Sequence, residues 1–308
     1  MDNFFSVAAQ VSTLFVYVFL GYLGRKKKII TAEGDKVLSD VIFIFTMPAL
    51  TITSMTIEVS DQQLANAWTI LLISFGLVLF FYACSIVFGT LLHLPQQKRP
   101  SFSLATTFAN VGYLGFPVAY ILLGPLGVFY AAMFNLSHNL LMFTLGVWLA
   151  QGKQQRRLDW RQIFNINSQA IIFGFVLALL HIRIPELIFR PLEGLGQATI
   201  PMALFLIGSM LAESPLKSIF INKIVYFVAG LRLLIFPLLT LGLLSLLPGL
   251  ERAVRLVIIM QMAMPTAAVP AAMARKYNSE YKLLSDSVAV STLLSMLTIP
   301  LWVVFANY

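Results

Sequence analysis

Two stretches of this chain place anion-binding residue types inside otherwise apolar sequence. The first is TTFANVGYLGFPVAY, residues 106–120, where Asn110, Val111 and Gly112 precede Gly115 and Pro117. The second is QMAMPTAAVPAAMA, residues 261–274, which carries Gln261, Thr266, Val269 and Pro270. A proline within a helix removes one backbone hydrogen bond and clashes with the preceding turn, so both segments are expected to break near mid-membrane. Freed backbone is tolerated at that depth only where it is packed inside protein or lines a cavity. A half-helix that begins at such a break turns unpaired N–H groups and the positive end of its dipole toward it. Each such end is worth about 0.3–2 kcal/mol to a nearby anion. A carboxylate is the natural guest, with the Asn110 amide as a further donor; capping the broken helix is the alternative role for Asn110. Gln261 and Thr266 flank the second break as candidate wall residues.

Other polar residues lie in apolar surroundings. Asn135, His138 and Asn139 are spaced to share one helix face, where they can back the breaks with hydrogen bonds. His138 can alternatively carry a coupling proton, since imidazole titrates near neutral pH. Arg232 sits too deep in its segment to reach the surface easily. It is expected to pair with a carboxylate such as Asp286 or with helix C-terminal carbonyls, or else to attract a substrate from a distance. A metal site is not expected, because Cys84 is the only cysteine and the three histidines lie in separate regions. No residue pattern calls for a cofactor.

Elements that could hold these residues follow from composition. Of 308 residues, 59% are hydrophobic and 11% charged, against about 25% charged in soluble domains. Segments of about 20 apolar residues suffice to cross a bilayer. Ten such spans are expected near residues 4–24, 37–57, 65–92, 101–124, 127–150, 167–182, 194–212, 223–247, 253–274 and 281–305. The N-terminal MDNFFS lacks a basic region and a cleavage site, so the first span is expected to be retained. Alternate connections hold 16 of the 21 basic residues, among them Arg25, Lys98, Lys153, Arg156, Arg157, Lys217 and Arg275. By the positive-inside rule these connections are cytoplasmic and both termini are outside. The net charge of +8 thus reflects topology, and a nucleic-acid role has nothing else in its favour.

A shift of 153 residues superposes Pro48 on Pro201, Gly89 on Gly242, Pro95 on Pro248 and Pro117 on Pro270, and it brings His138 onto Ser291. The expected fold is therefore an all-α polytopic membrane protein of ten transmembrane helices, arranged as two inverted five-helix repeats with crossed broken helices. Residues 1–152 would form the first repeat and 153–308 the second. Asn135, His138, Asn139, Arg232, Asp286 and Ser291 are the supporting or coupling candidates around the break.

The run NVGYLGFP, residues 110–117, resembles the fourth span of the auxin efflux carrier family. The C-terminal MPTAAVPAAMARKYNSEYKLLSDSVAVSTLLSMLTIPLW is similar to the last two spans of that family, including its plant auxin exporters, and GLRLLIFP is similar to a segment where arginine precedes proline. The resemblance covers the whole chain, which has the length of compact bacterial members of the family. It implies a fold like that of sodium–proton antiporters and bile-acid symporters, a homodimer in a bacterial inner membrane, and elevator-like movement. The moving transport domain would comprise spans 3–5 and 8–10, against a scaffold of spans 1, 2, 6 and 7. Asn110 falls on the family's substrate-contacting asparagine, and Pro117 and Pro270 fall on its crossover prolines. The expected function is secondary transport of a small organic anion, a carboxylate such as malate or malonate or an auxin-like aromatic acid, by efflux or potential-driven uniport. Sodium- or proton-coupled symport is the alternative within that class, and a membrane receptor without transport is the alternative from another. Enzymatic chemistry at His138 would need a nucleophile or metal partners that the sequence does not supply.

Overall fold

The computed structural model describes residues 2–151, 160–213, 222–277 and 280–307, so the basic residues Lys153, Arg156, Arg157 and Lys217 lie outside the described residues. The described chain is helical, with α1 (Asp2–Lys26) leading into α2 (Ala32–Met55), α3 (Asp61–Leu91), the short α4 (Arg99–Thr107) and the long α5 (Gly115–Gln151). A single helical turn, Trp160–Ile163, precedes α6 (Ile166–Leu179) and α7 (Glu186–Ala212). The remaining helices are α8 (Lys223–Ser245), α9 (Arg252–Met262), α10 (Val269–Lys276) and α11 (Lys282–Asn307).

Local sequence sets the helix boundaries. Ser60 caps α3 by accepting from the Gln63 N–H while the Gln63 side chain accepts from the Ser60 N–H, a reciprocal box that pairs two amides an open helix end would leave bare. Beyond that cap α3 is apolar around its circumference, and Leu72, Phe80 and Val87 face outward, which suits lipid contact. Two of the prolines within the spans follow π turns. One such turn, Ile42–Thr46, precedes Pro48, and another, Leu231–Ile235, precedes Pro237. Proline cannot donate to the turn before it, so each of these turns has carbonyls that need another donor. The Asn167 amide supplies it to Phe43 O at 3.0 Å, and the Trp302 indole N–H to Leu233 O at 2.6 Å.

Six of the described helices are long and apolar enough to cross a membrane: α2, α3, α5, α7, α8 and α11. This overturns the expectation of ten transmembrane helices in two inverted five-helix repeats with an elevator architecture. Counting 20-residue apolar windows treats each as one continuous helix, and several are not. The fourth window yields the nine-residue α4 and an unwound link, and the ninth yields α9 and α10 of 11 and 8 residues. The sixth window yields only the 14 residues of α6. Windows four and five instead share α5, a 37-residue run interrupted at Gly124, whose φ of +60° and ψ of −145° are not helical.

Helices α1 and α7 pack backbone to backbone. A Cβ added at Gly208 would lie 1.8 Å from Val18 O, and one at Gly21 would lie 1.9 Å from Phe205 O. Helix α2 packs on α6 through Gly174 and on α7 through Gly196, whose added Cβ would lie 2.7 Å from Leu50 N. Small residues permit this approach where the lipid offers no hydrophobic drive for association. The buried centre of the molecule is where the two unwound links, 108–114 and 263–268, meet.

Candidate functional site

The two links pair as a minimal antiparallel ladder around Ala109 and Thr266. Asn110 N–H donates to Pro265 O at 2.7 Å and Ala267 N–H donates to Phe108 O at 3.0 Å. Backbone freed from two helices thus satisfies itself in the interior. The remaining amides of the pair go to side chains from neighbouring helices. Ala109 N–H donates to His138 Nε2 at 3.0 Å, and Thr266 N–H donates to Ser291 Oγ at 3.0 Å. An imidazole nitrogen that accepts carries no proton, so in this arrangement the His138 proton sits on Nδ1.

The carbonyl ends of the broken helices converge on Arg232, which is completely buried. Its Nε donates to Met264 O at 3.0 Å, Nη2 to Met262 O at 3.0 Å, and Nη1 to Thr106 O and Thr107 O at 3.3 and 3.4 Å. Of the partners expected for it, the helix carbonyls are the ones found. Among the described residues no carboxylate lies within ion-pair distance of Arg232. Asp286 instead lines a separate cavity of about 410 Å³ together with Lys98, Glu280 and Lys282.

A main cavity of about 560 Å³ opens beside the paired links. That volume falls in the range of small-molecule sites. Of the sequence candidates, Asn110, Val111, Gly112, Val269, Asn135, His138 and Asn139 line it. Pro117, Pro270, Gln261, Thr266 and Ser291 are buried outside its lining. Gln261 Nε2 donates to Gly115 O at 3.2 Å, and Thr266 Oγ1 donates to Ala105 O at 2.9 Å, so both brace the links. The prolines sit just inside the helices that follow the breaks, Pro270 at the start of α10 and Pro117 two residues into α5. Proline is tolerated there because a first-turn N–H has no partner within the helix to lose. At α5 the first amides are already used by the link itself: Gly115 N–H donates to Asn110 O at 3.1 Å and Phe116 N–H to Gly112 O at 3.2 Å. What α5 offers an anion is therefore its dipole.

The far wall comes from α2, α6 and α7 and includes residues that the sequence did not single out as site candidates. Met47, Thr51, Asn167 and Leu206 are among them. Near α10, Arg275 and Tyr281 join the wall, with the guanidinium carbon 5.9 Å from the ring centre. Arg275 was counted only as a topological charge. Several polar atoms of the lining residues are buried without a hydrogen-bond partner, including Asn135 Oδ1, His138 Nδ1, Thr51 Oγ1 and Asn167 Oδ1. Among the described residues, arginine lines the cavity and no aspartate or glutamate does. Among the described residues no cluster of three or more metal-ligating side chains occurs.

Apolar spans surrounding a solute-sized, partly polar cavity define a polytopic membrane protein built to admit a small molecule. Residues 6–303 match the family described as membrane transport protein, and the chain belongs to that family. It is thus a transporter and not an enzyme. An uncharacterized transporter of Methanocaldococcus jannaschii is 26% identical over 95% of this chain and 96% of its own length. A putative malonate transporter of Rhizobium meliloti is 24% identical over 95% of this chain and 93% of its own. Auxin efflux carrier component 1 of Arabidopsis thaliana is 30% identical over 142 residues, which is 44% of this chain and 23% of the carrier.

Proposed function

We propose that the protein moves a small organic anion across the cytoplasmic membrane of a bacterium, by efflux or potential-driven uniport. The substrate is a carboxylate such as malonate or malate, or an auxin-like aromatic acid. The observation that carries this reading is the wall of the main cavity, which Asn110, Asn135, Asn139 and Arg275 line and, among the described residues, no carboxylate does. Such a wall favours a negative guest and disfavours a cation. The carboxylate is held by Asn110 and the adjoining link residues Val111 and Gly112, opposite Val269 at the start of α10, where the helix dipole adds to the attraction. The malonate-transporting and auxin-exporting descriptions of two relatives support the same substrate class. For a monoanion leaving a cell that is negative inside, the potential contributes about 2.3 kcal/mol per 100 mV. The distribution of basic connections supports termini on the outer face, and the family resemblance supports a homodimer, which light scattering of the purified protein would test.

The deciding experiment is uptake of labelled malonate, malate and indole-acetate into proteoliposomes under an imposed potential, with and without sodium and pH gradients. Saturable flux that follows the potential is expected. Asn110→Ala keeps the backbone bond to Pro265 and removes only the side chain, so flux should fall at least tenfold while the protein still inserts. Absence of saturable flux for every acid, or full activity in Asn110→Ala, would refute the assignment.

A further inference from the structure

We propose that Arg232 acts as a built-in cation that sets the position of both broken segments from behind the cavity, and that the carbonyl cage around it is a latent site for a free guanidinium or alkali cation. The cage consists of Thr106 O and Thr107 O at the end of α4 and of Met262 O and Met264 O at and just beyond the end of α9. All three guanidinium nitrogens are engaged, and the side chain is wholly buried. Helix C-termini carry about half a negative charge each, so two of them together balance one guanidinium. That balance explains how a charge persists in the interior without a carboxylate partner. Carbonyls at unwound helix ends are also the groups with which membrane carriers bind free cations. In this protein a covalently attached cation uses them.

The consequence for the cavity is geometric. Thr107 immediately precedes the link that carries Asn110, and Met264 lies within the one that leads to Val269. One side chain therefore ties both cavity-facing links to a common point. Arg232 is a positioning residue, since it does not line the cavity itself. Lysine cannot replace it fully, because a single ammonium nitrogen cannot span carbonyls that three guanidinium nitrogens reach.

The test compares wild type, Arg232→Ala and Arg232→Lys as purified full-length protein. Thermal unfolding is followed in choline, sodium and guanidinium chlorides at equal millimolar concentrations. Wild type should unfold at the same temperature in all three salts. Arg232→Ala should unfold several degrees lower and recover part of the loss in guanidinium or sodium but not in choline, with Arg232→Lys intermediate and unresponsive. In proteoliposomes, guanidinium should restore part of the anion flux of Arg232→Ala without changing that of wild type. Stabilisation of wild type by sodium over choline would overturn the proposal, because the cage would then already hold a free ion. A folded Arg232→Ala that ignores every cation would overturn it too. If the alanine variant does not fold, the comparison of salts on wild type still decides, as does a lysine variant that matches wild type in stability and flux, which would refute the need for a fork. The flux arm rests on the anion-carrier reading, whereas the unfolding measurements do not. Failure to move any acid would remove that reading and leave the Arg232 result standing.

Discussion

Gly115→Ala should be damaging for a reason confined to one neighbour, and a four-protein cycle can isolate it. A Cβ built on Gly115 lies 2.2 Å from Gln261 Oε1 and 3.0 Å from its Cδ and Nε2. The amide would have to retreat by roughly 1 Å to restore ordinary contact, and it has no slack: Gln261 is 1% exposed and its Nε2 is bonded to Gly115 O. Overpacking of this kind costs about 1–3 kcal/mol. Gly115 is the first residue of α5, so replacing glycine there gains at most about 0.5 kcal/mol. The single variant should therefore lose about 0.5–3 kcal/mol. Gln261→Ala removes the obstacle together with the second bond to Gly115 O, a carbonyl that the first turn of α5 also uses, at about 0.5–1.5 kcal/mol. In that background Gly115→Ala should become neutral or mildly stabilising. The predicted coupling between the two sites is about 1–3 kcal/mol, well above the additive limit of about 0.5 kcal/mol. Unfolding of the four proteins by SDS titration in mixed micelles measures it. Losses that add within that limit would refute the claim that these two residues meet as described.

Further predictions concern the packing, the links and the mouth of the cavity. Gly208→Ala forces α1 and α7 apart, because the obstructing atom is the backbone Val18 O at 1.8 Å and not a movable side chain; folded yield and thermal stability should both drop sharply. His138→Leu leaves the Ala109 N–H without its acceptor in a buried position, and unfolding should show a loss of about 1–3 kcal/mol. Trp302→Phe strands Leu233 O in the π turn before Pro237 and should cost a comparable amount in the same assay. Arg275→Gln removes the cation from the cavity wall, so the KM for a carboxylate should rise severalfold, most at low ionic strength, with little change in stability.

How much of this was legible in the sequence depended on whether a residue acts locally. The two breaks could be read because glycine and proline punctuate apolar sequence at 110–117 and 265–270, and the polar face of Asn135, His138 and Asn139 followed from helical spacing. Arg232 was legible as a buried cation in need of carbonyls or a carboxylate, but the choice between them depended on the convergence of α4 and α9, which no spacing encodes. The far wall was not legible for the same reason: Asn167 and Leu206 reach the cavity only through packing between helices distant in the chain. The ten-span expectation failed because hydropathy records how apolar a stretch is and not whether its backbone stays wound. Pro117 and Pro270 lie outside the cavity lining because the unwound backbone lies ahead of each proline, and the prolines themselves are packed into the helices that resume.

The ladder that joins the two links is made of main-chain atoms, and this bears on how such a protein can diverge. Asn110 N–H to Pro265 O and Ala267 N–H to Phe108 O would form with almost any side chains at those positions. Mutational drift can therefore alter the amide at 110 or the small residue at 267, and with them the cavity wall, without dismantling the join. The exception is proline, which has no N–H to give and is barred from both positions. A chain of this family can in this way retain the join while the wall around it changes.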